Sequence, residues 1–545
     1  MAGHWLIRRE VFLELGGYSA RYPQACALDF ILRLIEAGGM SGVGHIDELL
    51  LISDYDTAES NLDELNALRR HLNARGYERG AVLQTRPRAY HLRYGHTERP
   101  LVSILIPTRD QFALVTRCVE SILERTRYKN FEIILIDNLS EADDAVQWLN
   151  GIEAMADEKL RVLRYPHPFN FSAMNNCAAA QARGDYLVLM NNDTAVIDDN
   201  WLDELLNHAQ RPEVGIVGAR LHYPDGTLQH AGVLLGLRGP AEHPWLRRDP
   251  QAPSYMNRSQ LDQNFSAVTA ACLMIRKSVY EQVEGLDEQA FAVSYNDVDL
   301  CLKVGEAGYL NVWAPRAVVM HEGSVSQETV DPLSSSAKRM RFVNEQNAFY
   351  ERWMPKLVND PAYNRNLSLS GNGFELDNKP LLDPALRVQP EVLVVAGPTQ
   401  KAKLLESWSG LSQQASVTVV AQRLRIADLL RTAPDVLVMP GGLSYMDPLS
   451  LQHFHQYFDA LKVLDLCAFE TLAWERVEQV PEHILKALPL VDRVLVPSDD
   501  VALALRGLHA DIRIVPPLLE VASAVSVSSG AHEQVDEAAL AACLP

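Results

Sequence analysis

The sequence predicts an α/β protein: a central unit built on a mostly parallel sheet with helices on both faces, then a second, smaller α/β unit. Three observations carry this. Short apolar runs alternate with amphipathic stretches from residue 99 to residue 330. Several runs are apolar throughout, the pattern of strands covered on both faces. Strands joined by helices in βαβα order pair in parallel.

Leu101–Pro107 (LVSILIP) reads as the first buried strand, and Leu114, Cys118 and Ile122 follow at helical spacing. Phe131–Asp137 (FEIILID) is a second strand, Leu160–Tyr165 a weaker third and Asp185–Asn191 (DYLVLMN) a fourth. Ser172–Ala182 and Trp201–Ala209 read as helices. Further strands are expected at Val214–Leu221, Gly232–Leu237 and Ala267–Ile275, with a long loop over Gly239–Gln263. A helix should begin near Asp297, with Val298, Cys301, Leu302 and Val304 as its apolar face, and Asn311–Met320 should return as strand. Residues 371–390 read as a linker. Beyond them, Glu391–Ala396, Ser416–Val420, Val436–Met439, Arg493–Val496 and Arg513–Val515 form the second strand set, and Ser523–Gly530 opens a frayed tail.

Ligands of such sheets bind beyond the carboxyl ends of the strands. The polar residues directly after each apolar run are therefore the ones to weigh.

Composition narrows the function. With 545 residues, roughly two to four domains are expected. Acidic residues outnumber basic ones by 70 to 50, a net charge of −20, which disfavours unaided binding to nucleic acid or anionic lipid. No apolar run reaches the roughly 18 residues of a membrane-spanning helix. The start, MAGHWLIRREVF, bears charges where a signal peptide would be apolar. A cytoplasmic protein is expected. The seven cysteines are scattered without CxxC spacing, which fits reduced thiols better than disulfides or a zinc site.

The N-terminus repeats part of the centre. Ile7–Gly17 (IRREVFLELGG) resembles Ile275–Gly285 (IRKSVYEQVEG), and Asp29–Gly38 (DFILRLIEAG) resembles Asp299–Gly308 (DLCLKVGEAG). Ala27 stands where Asp297 stands in the second copy. The expected organisation is a partial first copy at 1–65, a connecting segment at 66–98, a complete domain at 99–370, the linker, a half-domain at 391–522 and a tail at 523–545.

Each candidate residue has a chemical reading and a plain one. Asn191-Asn192-Asp193 follows the fourth strand, where Asp193 could ligate a hard cation that bridges phosphates; it could equally end a strand in a polar turn. Asp137 could accept bonds from a base or ribose, or cap a helix with Asn138 or Ser140. Asp297 and Asp299 do not share a helix face, so one can cap while the other enters a cleft. His321 could complete a metal site with Asp193 or be an ordinary surface histidine. Asn170-Phe171-Ser172 with Asn175-Asn176 reads as a helix cap that also lines the cleft. Tyr223-Pro224-Asp225-Gly226 is a β-turn, and the following Gln229-His230 could face a substrate.

Taken together, IPTRD, IDNLS, NFSAMNN, RGDYLVLMNNDT, YPDGTLQHAG, AACLMIRKSVYEQVEGLDE and NDVDLCLKVGEAGY, with a strand ending in His321, resemble a family-2 glycosyltransferase of GT-A fold. The nearest subgroup in resemblance is the bacterial rhamnosyltransferase-like enzymes of O-antigen assembly. The resemblance covers about residues 99–370. It implies a Rossmann-like mixed sheet and a donor site made by Pro107, Thr108, Arg109, Asp137, Asn138, Asn175 and Asn192. It implies Asp193 and His321 as ligands of Mg²⁺ or Mn²⁺, with Asn191 at the first acidic position of the DxD motif. Asp297 is the implied catalytic base, with Asn296 where Glu is frequent. The implied reaction is inverting transfer from a dTDP- or UDP-sugar, with rhamnose as the sugar by subgroup, to a glycan or lipid-linked glycan at the inner face of the membrane. Val494–Ser498 and Ile514–Pro517 resemble closing segments of the first lobe of a GT-B glycosyltransferase, a unit expected to lack transfer activity of its own. A non-catalytic scaffold, or a remnant of a longer transferase, is the rival reading. A sugar nucleotidyltransferase is disfavoured because IPTRDQFAL lacks a glycine.

Overall fold

The computed structural model describes residues 5–39, 42–44, 46, 60–323, 335–376, 387–395, 415–420, 432–441, 460–467 and 476–515. The tail at 523–545, Pro516-Pro517, Ser324, Ala396 and residues 377–386, half of the 371–390 linker, lie outside the described residues. The chain divides into two compact units, Met1–Asn378 and Lys379–Pro545.

The first unit opens with helices α1 (Arg9–Glu14), α2 (Cys26–Gly38) and α3 (Leu62–Ala74) and the hairpin β1 (Ala81–Arg86)–β2 (Ala89–Arg93). Its main sheet contains β3 (Val102–Thr108), β4 (Phe131–Asp137), β5 (Leu160–Arg164), β6 (Tyr186–Met190), β7 (Thr194–Val196), β8 (Val214–His222), β9 (Leu228–His230), β12 (Gln263–Asn264), β13 (Cys272–Arg276) and β14 (Leu310–His321). A two-residue pair, β10 (Leu234–Leu235) and β11 (Ala241–Glu242), stands apart. The helices between are α4 (Phe112–Arg125), α5 (Asp143–Met155), α6 (Phe171–Gln181), α7 (Trp201–Ala209), α8 (Lys277–Gln282) and α9 (Asn296–Glu306).

The sheet order is β12-β14-β8-β13-β6-β3-β4-β5, with β7 on β14 and β9 on β8. β3, β4, β5 and β6 pair in parallel, as do β8 and β14. Every residue of β3 and β4 is buried, because helices cover both faces. β13 is antiparallel to both its neighbours, so the sheet is mixed, as the GT-A resemblance implies, rather than simply parallel. The reversal has a consequence for the site: the start of β13 lies at the edge where β3, β4, β6 and β14 end. Gly218 of β8 is required here, since a Cβ would stand 2.5 Å from Val268.

The differences from sequence expectation lie in short segments. Gly232–Leu237 contributes only the two residues of β10, and Ala267–Ile275 becomes strand only from Cys272. Gly239–Gln263 holds β11 and a 3-10 turn at Tyr255–Gln260. The β1–β2 hairpin was not anticipated.

Asp29 and Asp299, matched by the internal repeat, are held alike. Asp29 in α2 is buried and accepts from Arg33 and from Arg70 of α3. Asp299 in α9 is buried and accepts from Arg352 and Trp353 of the long helix Ser335–Val358.

The second unit holds a six-stranded sheet, parallel throughout, in the order β16 (Ser416–Val420), β15 (Glu391–Val395), β17 (Val436–Pro440), β18 (Leu461–Asp465), β19 (Arg493–Val496), β20 (Ile512–Ile514). β18 was missed from sequence: Lys462 interrupts its apolar run and Asp465 ends it. Val394, Val438 and Val463 pack at its centre.

Candidate active site

The carboxyl edge of the main sheet gathers the polar residues that follow its strands. One cavity there is lined by Pro107, Thr108 and Arg109 from the end of β3, Asn138 after β4, Asn191 and Asn192 after β6, and Asn296 and Asp297 at the start of α9. Phe169, Phe171, Met174 and Val293 form an apolar wall, and Thr269–Ala271, leading into β13, close the far side.

Asp297 reaches this cavity because the backbone turns sharply before it. Tyr295 sits in the left-handed region at φ 62°, an unfavourable place for a bulky residue. Its ring stacks on Phe349 at 5.1 Å and its hydroxyl accepts from Gln346, contacts that hold the turn. Neither carboxylate of the pair caps α9. Asp297 faces the cavity, its Oδ2 accepting from the Ala270 N–H at 3.1 Å and its Oδ1 from the Val298 N–H at 2.9 Å. Asp299 instead points into protein, bonded to Arg352 and Trp353 at 2.9 Å each. The spacing argument that separates the two is thereby realised, with burial rather than capping as the second role.

Asp193 is fully buried, and neither it nor His321 lines this cavity. Its backbone carbonyl accepts from the Glu322 N–H at 3.2 Å, which ties it to the end of β14. The His321 Nε2 lies 3.1 Å from Asp193 Oδ1 and 3.2 Å from the Asn191 amide nitrogen. Apart from this contact, both Asp193 carboxylate oxygens lack a hydrogen-bond partner among the described residues. A buried carboxylate left in this state is expensive unless a cation compensates it. Two atoms sharing an octahedral cation at about 2.1 Å lie about 3.0 Å apart, close to the separation found here. Asp193 and His321 therefore offer one carboxylate and one imidazole to a hard divalent ion, while the Asn191 amide presents its nitrogen to His321 Nε2 and is no ligand as placed. Among the described residues no group of three or more His, Cys, Asp or Glu side chains assembles as a metal site.

Gln229 orients the imidazole. Its Nε2 donates to the His321 carbonyl at 3.3 Å, so its oxygen faces His321 Nδ1, 2.6 Å away. In the neutral ring the proton then sits on Nδ1, and the Nε2 lone pair faces Asp193. Gln229 thus supports a candidate ligand instead of meeting a substrate directly. His230 beside it is buried, its Nδ1 2.9 Å from His243 Nδ1, and burial followed by the neighbouring His243 holds it well below the usual imidazole value.

The remaining predicted donor residues divide. Thr108 Oγ1 accepts from the Asn192 amide at 3.1 Å, which fixes two lining residues against each other. Asn138 lines the cavity while its amide donates to the carbonyls of Tyr165 and His167. Asp137 and Asn175 lie outside the lining. Asp137 is held by Arg164 at 2.8 Å and by the Ser140 N–H at 3.1 Å; it caps no helix, since α5 begins later, at Asp143. Asn175 is buried, donating to Phe171 O at 2.8 Å. Asn170 caps α6 by accepting from the Ala173 N–H, while Asn176 bonds Tyr280 and Leu286. Tyr223–Gly226 is the expected turn, closed by the Gly226 N–H on Tyr223 O at 2.9 Å.

Sequence reasoning missed Thr269–Ala271, where the Ala270 N–H orients Asp297, and Phe169; Phe171 belongs to the segment expected to line the cleft. The first carries no side-chain signal. Phe169 stands one residue ahead of the NFSAMNN motif.

Comparison with known proteins bears on this arrangement. Uncharacterized protein y4gI of Sinorhizobium fredii is 42% identical over 376 residues, 67% of this chain and 41% of that protein. The O-antigen biosynthesis protein RfbC of Myxococcus xanthus is 35% identical over 442 residues, 76% of this chain and 33% of that protein. The chain thus spans well under half the length of these two relatives. An N-acetylglucosaminyl-diphospho-decaprenol L-rhamnosyltransferase of Mycobacterium tuberculosis is 31% identical over 166 residues, 28% of this chain and 52% of that protein. Residues 103–284, which include β3 through β13 and every lining residue before Val293, match the family described as Glycosyl transferase family 2. With that match placed on this sheet and this cavity, the chain carries a glycosyltransferase family 2 domain.

Proposed function

We propose that the protein is an inverting glycosyltransferase that moves a sugar from a nucleotide-sugar donor to a hydroxyl of a growing cell-surface glycan. The observation that carries this reading is the meeting of Asn191, Asn192 and Asp297 in one cavity, backed by Asp193 and His321. Thr108, Arg109 and Asn138 face the nucleoside and diphosphate, and Asn192 faces the ribose or sugar. Asp193 and His321 would hold Mg²⁺ or Mn²⁺, which when bound neutralises charge on the departing diphosphate.

Asp297 is the base. Its carboxylate, oriented by the Ala270 and Val298 amides, takes the proton from an acceptor hydroxyl. The freed oxygen electron pair attacks the anomeric carbon as the bond from that carbon to the diphosphate oxygen breaks. The nucleoside diphosphate leaves and the configuration inverts. One protein carboxylate suffices, because the leaving group needs no protonation.

The similarity to RfbC and to the L-rhamnosyltransferase supports an O-antigen-like glycan as acceptor and a deoxyhexose such as rhamnose as the sugar. The N-terminal helices, with Asp29 set as Asp299 is, read as the end of a partial first copy. The second unit's parallel sheet reads as a GT-B-like first lobe that packs or handles acceptor without transfer of its own.

Incubating the full chain with a panel of dTDP-, UDP- and GDP-sugars tests the reading through release of nucleoside diphosphate. Release from at least one donor, lost on chelation and lost in Asp297→Asn, is expected. Release from none, with none bound, would favour a scaffold.

A further inference from the structure

A second polar cavity, of about 300 Å³, lies at the outer edge of the first unit's sheet and shares no lining residue with the Asp297 cavity. Arg220 of β8, Arg316 in the irregular part of β14 and Arg86 at the end of β1 line it, with Asp198, Gln251 and Gln260. Three guanidinium groups against one carboxylate is an excess of positive charge in a chain whose net charge is −20.

Arg220 is the telling residue. It is only 7% exposed. Its Nη2 donates to the Pro250 carbonyl at 3.0 Å, yet its buried Nε has no partner, and no carboxylate comes within ion-pair distance among the described residues. Burial pushes its guanidinium down to about 10, with Asp198 and Asp249 opposing from beyond ion-pair distance. A buried cation without a counter-ion is a costly arrangement that a bound anion relieves. Arg316 stands where the register between β14 and β8 slips, between Ala314 and Val318, so its side chain leaves the regular pleat. Arg86 is braced by Gln251 Oε1 at 3.1 Å. Gln260 donates to the Ala252 carbonyl at 3.1 Å, while its buried Oε1 has no donor among the described residues and suits a ligand hydroxyl.

We propose that this cavity binds an acidic carbohydrate group, carboxylated or phosphorylated, with its oxyanion on Arg220, Arg316 and Arg86 and a hydroxyl on Gln260. The assignment is independent of the role given to Asp297.

Calorimetry of the full chain with glucuronate, glucose 6-phosphate, inorganic phosphate and glucose tests it. Saturable binding of glucuronate or glucose 6-phosphate at millimolar concentration or below is expected, with none for glucose. Arg220→Met and Arg316→Gln should each weaken it at least about tenfold. Arg220→Met removes the buried charge, so its thermal midpoint without ligand should be unchanged or higher. Whichever anionic sugar binds identifies the oxyanion. No saturable heat with either, or unchanged affinity in both variants, overturns the proposal. Equal affinity for inorganic phosphate and glucose 6-phosphate overturns its carbohydrate part.

Discussion

His321 Nε2 stands 3.1 Å from Asp193 Oδ1 although 128 positions of chain separate them. The antiparallel register of β7 on β14 enforces this: His321 pairs with Thr194, the residue directly after Asp193. The contact therefore follows from strand pairing and does not depend on a mobile loop.

Asp297→Asn should lower transfer by about 10²–10⁴-fold while nucleoside diphosphate binding survives. Steady-state rates set beside calorimetric affinity check this. Activity within about tenfold of the parent protein would remove Asp297 from the role of base.

Gln229→Leu should weaken divalent-ion affinity by about 10–100-fold without touching the ion, because His321 loses the partner that sets its tautomer. A Mn²⁺ titration followed by electron paramagnetic resonance reads this directly. An unaltered titration would show that His321 needs no orientation.

Asp299→Ala should cost about 1–3 kcal/mol of stability, since it leaves the Trp353 indole N–H without its acceptor and takes one of two carboxylates from Arg352, which keeps Asp287. Denaturant unfolding measures it. The contrast with Asp297, two residues away, is the point: at low temperature the folded fraction of Asp299→Ala should still bind nucleotide.

The β1–β2 hairpin carries a pH dependence through His91, which is 2% exposed. It faces Asp262 at 2.9 Å and Glu204 at 3.2 Å; His208 lies 3.6 Å from Asp262 and Arg93 3.7 Å from Glu204. Against the opposing effect of burial, the two carboxylates raise the His91 imidazole above 6.5. A raised value means stability present in full below the unfolded value and lost as pH rises through the folded one. The melting deficit of His91→Gln should therefore be larger at pH 6 than at pH 9. An equal deficit at both would mean that His91 does not change charge between them.

Most of the central sheet was legible because β3, β4 and β6 are continuous apolar runs of strand length. β10 and β11 were not, since two-residue strands leave no periodic trace. The hairpin is mostly exposed along β1, so its pattern lacks the apolar alternation of a half-buried strand. The positions of Asp193 and His321 after strands and of Asp297 at the start of a helix were legible in the sequence. Which lining residues actually face the cavity was not, because that depends on partners distant in sequence. Asp137 meets Arg164 of the neighbouring strand, and Asp297 is aimed by backbone amides that any residue type would supply.

The role proposed for Asp193 and His321, holding a divalent ion for the donor's diphosphate, makes nucleotide affinity depend on the metal. Calorimetric titration of UDP and dTDP into the parent protein and Asp193→Ala, with and without Mn²⁺, tests it most directly. At least one nucleotide should bind the parent protein more tightly with Mn²⁺ than without, and Asp193→Ala should lose that difference. Affinity indifferent to the metal, or unchanged in the variant, would contradict it.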